Sequence, residues 1–192
     1  MKVVIIDYGA GNVQSIAFAF QRLGITTVLS NDPNTIKNAD RVIFPGVGEA
    51  SSAMTKLLGS ELHEVVPQLQ QPVLGICLGM QLMCNFSEEG YTQGLGIFDV
   101  DVIRFKDTLK VPQIGWNTIR SLRSPLFQGL AEDFIYLVHS FYAPLTKETI
   151  ATSDYGLPYS AALWKDNFYG VQFHPEKSGV YGARILENFL NL

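Results

Sequence analysis

The sequence predicts an α/β fold: a doubly wound, mostly parallel sheet with helices on both faces and antiparallel strands added in the C-terminal half. Three observations support this prediction. Apolar, β-branched runs alternate with amphipathic stretches in the first half of the chain, as expected for strands buried between helices. From about residue 95, short strands follow one another closely, with turn residues between them. The final segment, 179–190, returns to a helical pattern.

The first half of the chain divides into alternating strands and helices. Apolar runs predict buried strands at residues 2–8, 26–30, 41–46 and 72–76. Amphipathic stretches predict helices at residues 12–24, 50–59, 61–69 and 78–86, the first closed by Gly24 and the third interrupted near Pro67. The polar segment 31–40 is predicted to be a connection.

The second half is predicted to be rich in strands. The predicted strands are residues 96–105, 114–122, 134–143, 149–156, 159–167 and 168–174. Several of them are expected to form antiparallel hairpins that are added to the parallel sheet. Because no linker, repeat or low-complexity tract divides the sequence, residues 1–192 are predicted to form one domain.

The composition argues against several classes of function. The chain has 192 residues, is 47% hydrophobic and carries a net charge of −4 without a Lys/Arg block, so nucleic-acid binding is not expected. No apolar stretch is long enough to span a bilayer and no signal-peptide pattern is present. These observations predict a cytoplasmic protein that does not associate with a membrane. The three histidines and two cysteines show no metal-ligand spacing, so neither a metal nor another cofactor is expected.

Cys77 and Cys84 are predicted to be free thiols. They lie seven residues apart on what is predicted to be one helix. That spacing separates them by about 10 Å, which is too far for a disulfide bond.

Residues 75–79, Gly-Ile-Cys-Leu-Gly, have the form of a nucleophile elbow. A strand ends at Cys77, a helix begins directly after it, and the flanking glycines relieve crowding at such a bend. The sulfur would then lie at the carboxyl edge of the sheet, at a helix start that favours the thiolate. A buried core cysteine in an ordinary strand-to-helix turn is the alternative interpretation.

His174 and Glu176 provide a candidate base for this cysteine. A predicted strand ends at His174, and residues two apart in an extended chain point to the same side, so Glu176 is expected beside the imidazole. The carboxylate would fix the ring tautomer and leave the other nitrogen to take the thiol proton. An isolated His-x-Glu is usually an exposed salt bridge. Together with the elbow cysteine, it predicts a triad that attacks a carbonyl carbon.

Attack on a carbonyl produces an oxyanion, which needs preorganised N–H donors. The N–H of Leu78, directly after the candidate nucleophile, is one such donor. Val47 and Gly48, in the glycine-rich turn 44–50, are candidates for the second. A plain loop is the alternative interpretation of that turn.

These motifs also carry a family resemblance. GICLGMQ (75–81) and HPEKS (174–178) resemble the class I, or triad, glutamine amidotransferases, in which a cysteine releases ammonia from glutamine through a thioester. The resemblance runs from residue 2 to the last helix. The segments that are similar to the glutaminase subunits of imidazole glycerol phosphate synthases, in histidine biosynthesis, are 6–15, 45–50, 111–117, 135–143 and 170–178.

The resemblance implies a role for each matching residue. Cys77 would be the nucleophile, His174 the general base and then acid, and Glu176 the group that orients the imidazole. The remaining implied roles are oxyanion stabilisation by Gly46, Val47, Gly48 and Leu78, and binding of the substrate glutamine by Gln81, Glu89, His139 and Ser140. Such a zwitterion needs a carboxylate near its ammonium group and neutral donors near its carboxylate.

The resemblance further implies a heterodimer with a (β/α)8-barrel cyclase, which receives the ammonia and makes imidazole glycerol phosphate and an aminoimidazole carboxamide ribotide. It places the interface around Asn12, Gln113, Trp116, Tyr136 and Lys177. Without the resemblance, Trp116 would be interpreted as a half-buried core residue and Lys177 as a solvated charge. Many relatives have His where this chain has Gln113, and glutamine cannot titrate near neutral pH.

Three alternatives remain open at this point. A glutaminase of another pathway, such as anthranilate or aminodeoxychorismate synthase, would share the elbow and HPE but is not expected to contain DYGAGN or GWN. A dinucleotide-binding module would need a third glycine, and the chain has GAGNVQ at 9–14. A non-catalytic binding subunit is opposed by the intact candidate triad.

Overall fold

The computed structural model describes residues 1–106 and 108–192. Its helices are α1 Val13–Arg22, α2 Pro33–Lys37, α3 Ala50–Gly59, α4 Leu62–Val65, α5 Leu78–Leu82 and α6 Gly179–Leu190. Its strands are β1 Val3–Ile6, β2 Thr27–Ser30, β3 Arg41–Phe44, β4 Val73–Ile76, β5 Cys84–Ser87, β6 Thr92–Gln93, β7 Phe98–Arg104, β8 Gln113–Ile119, β9 Asp133–His139, β10 Phe141–Tyr142, β11 Thr149–Asp154, β12 Pro158–Lys165 and β13 Phe168–Val171.

A seven-stranded sheet with the order β11-β12-β13-β4-β3-β1-β2 forms the centre of the protein. Strands β1 to β4 and β13 are parallel, whereas β11, β12 and β13 pair with one another in antiparallel fashion. Successive residues of β1 belong to two separate core clusters, Val4 and Ile6 to one and Val3 and Ile5 to the other. Both faces of the sheet are therefore covered, and the predicted α/β fold class is confirmed.

The other strands do not extend the central sheet, so the prediction of added hairpins is only partly correct. β5, β6, β7 and β10 form a separate four-stranded sheet, and β8 and β9 form a two-stranded one. Among the described strands, only β11 and β12 join the parallel strands as an antiparallel hairpin. The β8–β9 hairpin is tied to the end of the central sheet, because the N–H of His174 donates to the carbonyl of Tyr136 at 2.9 Å.

The helix after Cys77 is shorter than the sequence predicts. α5 ends at Leu82, and Cys84 begins strand β5 instead of sharing a helix with Cys77. The N–H groups of residues 94–98 donate to the carbonyls of residues 82–85, so these carbonyls are satisfied across the chain and not by a helical ladder. Both thiols are free and buried.

The polar segment 31–40, predicted as a connection, contains the short helix α2. The Asp32 carboxylate accepts from the N–H of Thr35 at 2.7 Å, and Pro33 occupies the first helical position. Both features are typical of helix starts. No helix among the described residues is long and apolar enough to cross a membrane.

Candidate active site

Cys77 forms a sharp corner at the carboxyl end of β4. Its backbone has φ 54° and ψ −111°, a conformation that residues with a side chain rarely adopt. Its N–H donates to the carbonyl of Val171 at 2.8 Å, which ties the corner to β13. Because Ile76 is paired with Val171 in the parallel register, the chain leaves both strands at the same level. Cys77 and the segment 172–174 therefore meet at one edge of the sheet.

Gly46 and Gly79 allow the segment after β3 to pack against the backbone of this corner. A Cβ at Gly79 would overlap the carbonyl oxygen of Phe44, and a Cβ at Gly46 would lie 2.5 Å from the nitrogen of Gly79. Both contacts are with backbone atoms, which cannot rotate away. This close approach brings Val47 and Gly48 to the edge where Cys77 lies.

We expect Gly79→Ala to lower the free energy of unfolding, because overpacking of this kind costs about 1–3 kcal/mol or more. Urea denaturation followed by circular dichroism measures the change. Gly59→Ala is the matched control, since a Cβ there meets nothing within 4 Å and alanine is the better helix former. Equal free energies of unfolding for the two variants would show that the corner accommodates a Cβ at residue 79 without strain.

His174 and Glu176 form a buried pair beside the corner. Nδ1 of His174 lies 2.8 Å from Oε1 of Glu176, and the two side chains are 6% and 1% exposed. The backbone differs from the extended form that the sequence predicts, because Pro175–Lys177 is a 3-10 turn. The hydroxyl of Ser178 donates to the carbonyl of His174 at 2.7 Å and holds this turn.

The protonation of His174 depends on its two partners. Burial disfavours the charged imidazole, but hydrogen bonding and charge interaction with Cys77 and Glu176 outweigh it and raise the pKa of His174 to about 10. The ring is therefore protonated at neutral pH. Because Nδ1 is bonded to Glu176, Nε2 is the nitrogen left for the sulfur of Cys77.

A crevice of about 330 Å³ opens beside the sulfur of Cys77. Its walls come from six separate segments of the chain. The lining residues are Val47, Gly48, Cys77, Leu78, Gln81, Glu89, Pro112, Val138, His139, Ser140, Phe141, His174 and Lys177. The candidate nucleophile, base, oxyanion donors and substrate-binding residues thus meet in one place, with Glu176 behind His174 and Gly46 behind Leu78.

Gln81 and Glu89 present different groups to this crevice. The side-chain NH₂ of Gln81 donates to the carbonyl of Phe141 at 3.0 Å and to Oε1 of Gln172 at 2.9 Å. Both of its donors are therefore used within the protein, and its oxygen remains for a ligand. Oε2 of Glu89 accepts from the N–H of Ala50 at 2.9 Å. Burial raises the pKa of Glu89, and that hydrogen bond acts in the opposite direction.

His139 is held by both of its ring nitrogens. Nδ1 lies 2.8 Å from the carbonyl of Phe141 and Nε2 lies 2.9 Å from the side-chain amide of Gln113. Burial lowers the pKa of His139 to about 4, so the ring is neutral at pH 7. The Gln113 atom at this distance is Oε1, which also accepts from the hydroxyl of Tyr159 at 3.1 Å, and that hydroxyl lies 3.3 Å from Nε2 of His139. Gln113 is 4% exposed, so its side chain is held inside this chain and is not offered to a partner.

Trp116 and Tyr136 of the predicted interface lie on the β8–β9 hairpin, and Lys177 lies beside Tyr136. The rings of Trp116 and Tyr136 have centroids 5.9 Å apart, and Nζ of Lys177 lies 5.9 Å from the Tyr136 centroid. Trp116 is 56% exposed, which excludes its interpretation as a core residue. Ile114 is 63% exposed on the same face. Asn12 is half-buried at the start of α1.

Two groups near the sulfur were not predicted from the sequence. Nε2 of Gln172 and the carbonyl oxygen of Val138 each lie 3.8 Å from Sγ of Cys77. Gln172 precedes His174 by two residues, so the spacing argument that pairs His174 with Glu176 also applies to it. A backbone carbonyl such as that of Val138 leaves no signal in a sequence.

Comparison with known proteins agrees with this geometry. A family profile described as "Glutamine amidotransferase class-I" matches residues 4–192. The protein named imidazole glycerol phosphate synthase subunit HisH of Bacteroides fragilis is 56% identical over 196 residues, which cover 100% of both chains. The chain belongs to the HisH family of class I glutamine amidotransferases. The HisH protein of Haemophilus influenzae is 48% identical, over 99% of this chain and 97% of the relative.

Solved structures with low sequence identity share the fold. PurLQS from Thermotoga maritima aligns with a TM-score of 0.74 at 13% identity, over 99% of this chain and 97% of that chain. A glutamine amidotransferase from Thermotoga maritima aligns with a TM-score of 0.64 at 18% identity, over 100% and 83%. The family profile and the HisH relatives confirm the family resemblance drawn from the sequence.

Proposed function

We propose that this chain hydrolyses glutamine to glutamate and ammonia and passes the ammonia to a partner cyclase in histidine biosynthesis. The observation that carries this proposal is the meeting of Cys77 with the His174–Glu176 pair at one crevice. The relatives named as subunits of imidazole glycerol phosphate synthase support the pathway. They also count against anthranilate and aminodeoxychorismate synthases.

The first half of the reaction acylates the cysteine. The thiolate of Cys77 attacks the carboxamide carbon of glutamine, so a C–S bond forms while the carbonyl electron pair moves to oxygen. The N–H of Leu78 and an N–H of the 46–48 segment stabilise the oxyanion. As the C–N bond breaks, the imidazolium of His174 transfers its proton to the departing nitrogen, and ammonia leaves.

The second half releases glutamate. His174, now neutral, takes a proton from water as the water oxygen attacks the thioester carbon. The tetrahedral intermediate expels the sulfur of Cys77, which frees the nucleophile for the next cycle while the imidazole of His174 is protonated again. Glu176 accepts from the ring throughout, so the imidazole keeps one orientation in both halves.

The amino-acid end of the substrate is held by the far part of the crevice. The carboxylate of Glu89 and the free oxygen of Gln81 are both acceptors, which suits an ammonium group. The hydroxyl of Ser140 is a neutral donor for the substrate carboxylate. His139 acts through its backbone position, because both ring nitrogens are already bonded.

The partner is a (β/α)8-barrel cyclase that forms a heterodimer with this chain. The chain itself acts as a single glutaminase domain in the cytoplasm. The outer face of the β8–β9 hairpin forms the interface, to which the family resemblance also assigns Asn12. Exposed aromatic residues grouped on one face, rimmed by a lysine, are typical of such surfaces. The same hairpin ends at His139, in the wall of the crevice, so docking and glutamine hydrolysis share one structural element.

Trp116→Ala should weaken the heterodimer about 10- to 100-fold, because a truncated aromatic anchor typically costs about 2 kcal/mol or more. Isothermal titration of the cyclase into each variant measures the change. Trp164→Ala is the matched control: Trp164 is also partly exposed, at 38%, but lies on β12, a strand of the central sheet and not of the hairpin. Equal affinities for the two variants would place the interface elsewhere.

The experiment that tests the function measures glutamate release from glutamine by the purified chain. It is run with the chain alone, with the cyclase, and with the cyclase and its nucleotide ligand. We expect low release from the chain alone and a strong increase with the liganded partner. High activity without the partner would retain the glutaminase and remove the coupling. No release under all three conditions would refute the proposed function.

A further inference from the structure

We propose that the side-chain N–H of Gln172 donates to the sulfur of Cys77 and stabilises it as thiolate. This inference rests on the proposed glutaminase function, in which that sulfur is the nucleophile. Nε2 of Gln172 lies 3.8 Å from Sγ, within hydrogen-bonding range for sulfur. The residue is 0% exposed, so the amide faces protein groups and not bulk water.

The direction of the Gln172 amide follows from a chain of contacts that begins at a backbone carbonyl. The carbonyl of Phe141 can only accept, so the group of Gln81 that lies 3.0 Å from it is the NH₂. That NH₂ also lies 2.9 Å from the Gln172 amide, which must present its oxygen there. The NH₂ of Gln172 is then the end that faces Sγ of Cys77.

The same carbonyl is held from a second side. Nδ1 of His139 lies 2.8 Å from the carbonyl oxygen of Phe141, so this oxygen is held by two donors, His139 and Gln81. At the other end, the N–H of Gln172 itself donates to the carbonyl of Ala161 at 2.9 Å. Both the backbone and the side chain of Gln172 are therefore immobilised at the end of β13.

Two neutral groups compete for the sulfur. The carbonyl of Val138, 3.8 Å from Sγ, can only accept, so it favours the S–H form of Cys77. The N–H of Gln172 favours the thiolate, since a hydrogen bond to the charged form stabilises that form. Removal of this N–H leaves His174 to oppose the carbonyl without Gln172 and shifts the equilibrium toward the thiol.

The titratable groups around the sulfur come from several elements. The imidazole of His174 follows β13, with Glu176 behind it, and the phenol of Tyr8 follows β1. Burial and the nearby Cys77 raise the pKa of Tyr8, whose hydroxyl donates to the carbonyl of Pro45, so it stays neutral. His139, at the end of β9, is neutral as well. The variants below leave all of these groups in place.

The test compares Gln172→Met, Gln172→Glu and the matched control Gln71→Met. Methionine has nearly the same length and no N–H, whereas glutamate retains an oxygen for Gln81 but turns a second oxygen toward the sulfur. Gln71 is half-buried; its side-chain NH₂ donates to the carbonyl of Ile36 at 2.8 Å, and its Oε1 accepts from the N–H of Gln70 at 3.2 Å. The readouts are the rate of alkylation of Cys77 by iodoacetamide from pH 5 to pH 10, located by peptide mass spectrometry, and kcat and KM for glutamine with the partner present.

In Gln172→Met, we expect the half-maximal alkylation rate to move about one pH unit higher, and alkylation on the acid side to fall about tenfold. Gln172→Glu should move it further, because a carboxylate repels the thiolate. In Gln172→Glu, which keeps an oxygen for the Gln81 amide, the loss of turnover should appear in kcat, with KM within about twofold of wild type; in Gln172→Met, which removes that acceptor, KM should rise as well. Gln71→Met should keep the wild-type profile.

An alkylation profile equal to wild type in both Gln172 variants would overturn the inference and leave Gln172 with a packing role only. Circular dichroism tests whether each variant is folded. If Gln172→Met does not fold, the alkylation profile of Gln172→Glu alone decides whether the inference holds. Failure of the proposed function looks different. In that case wild type releases no glutamate with any partner, yet its alkylation profile still shifts when Gln172 is replaced.

Discussion

Cys77→Ala should abolish glutamine hydrolysis, with turnover in the presence of the liganded partner reduced on the order of 10⁴-fold or more. No other described side chain that lines the crevice carries a thiol, so no thioester can form. Ammonia and glutamate release are measured together, since both depend on the same intermediate. Mass spectrometry after treatment with a glutamine-like electrophile should detect an adduct on the wild-type chain and none on the variant.

Cys84→Ala is the control for this result. Cys84 is fully buried at the start of β5 and donates to the carbonyl of Met80, outside the crevice. Its replacement should leave turnover within a few-fold of wild type. Retention of activity in Cys77→Ala, or loss of activity only in Cys84→Ala, would rule out the proposed nucleophile.

Glu176→Gln should reduce turnover about 10²- to 10⁴-fold, the range typical for the orienting carboxylate of a triad and for general acid–base catalysis. The amide keeps an oxygen for Nδ1 of His174, so the geometry is conserved while the charge is removed. The second oxygen of Glu176 is buried without a partner among the described residues. The amide nitrogen of the variant takes its place without breaking a hydrogen bond. Wild-type turnover in this variant would show that the carboxylate charge is not needed.

The same substitution should change the dependence on pH. In the folded protein, burial opposes protonation of His174, while Cys77 and Glu176 raise its pKa from the ordinary 6.5 to about 10. Since the imidazolium donates the proton to the leaving nitrogen, activity should persist through neutral pH and fall as the pH approaches 10. Removal of the Glu176 charge lowers the pKa of His174, so the alkaline limb should move to lower pH.

The free energy of unfolding should also decrease as the pH rises toward the pKa of His174. The folded chain holds the His174 proton more tightly than the unfolded chain does, because its pKa is raised. This contribution to stability is complete below about pH 6.5 and is lost as the pH rises toward 10. Urea titrations across this interval should show a smaller loss in Glu176→Gln than in wild type.

The parts of the fold that depend on local pattern could be predicted from the sequence. Buried β-branched runs located β1, β3 and β4, and glycine spacing located the corner at Cys77, because each signal lies within a few residues. The extent of α5 could not be predicted in this way. Its carbonyls near Leu82 are taken by N–H groups from residues 94–98, a contact between distant segments.

In the candidate site, too, residues with a local motif could be predicted, whereas residues placed by contacts between distant segments could not. Cys77, His174 and Glu176 carry motifs, whereas the burial of Gln113 depends on the packing of β8 against His139 and Tyr159. The two-stranded sheet that carries Trp116 could not be separated from the central sheet by pattern alone. Strands of either sheet show similar hydrophobic alternation.

The pairing of β4 with β13 has a consequence for how proteins of this kind can change in length. Residues 77–167 separate the two strands along the chain. The spacing between nucleophile and base, however, is determined by a ladder that runs from Val73–Phe168 to Ile76–Val171. Insertions or deletions in exposed turns of the intervening segment leave that ladder unchanged. New loops for new partners can therefore be added there while the chemistry at the sheet edge is inherited intact.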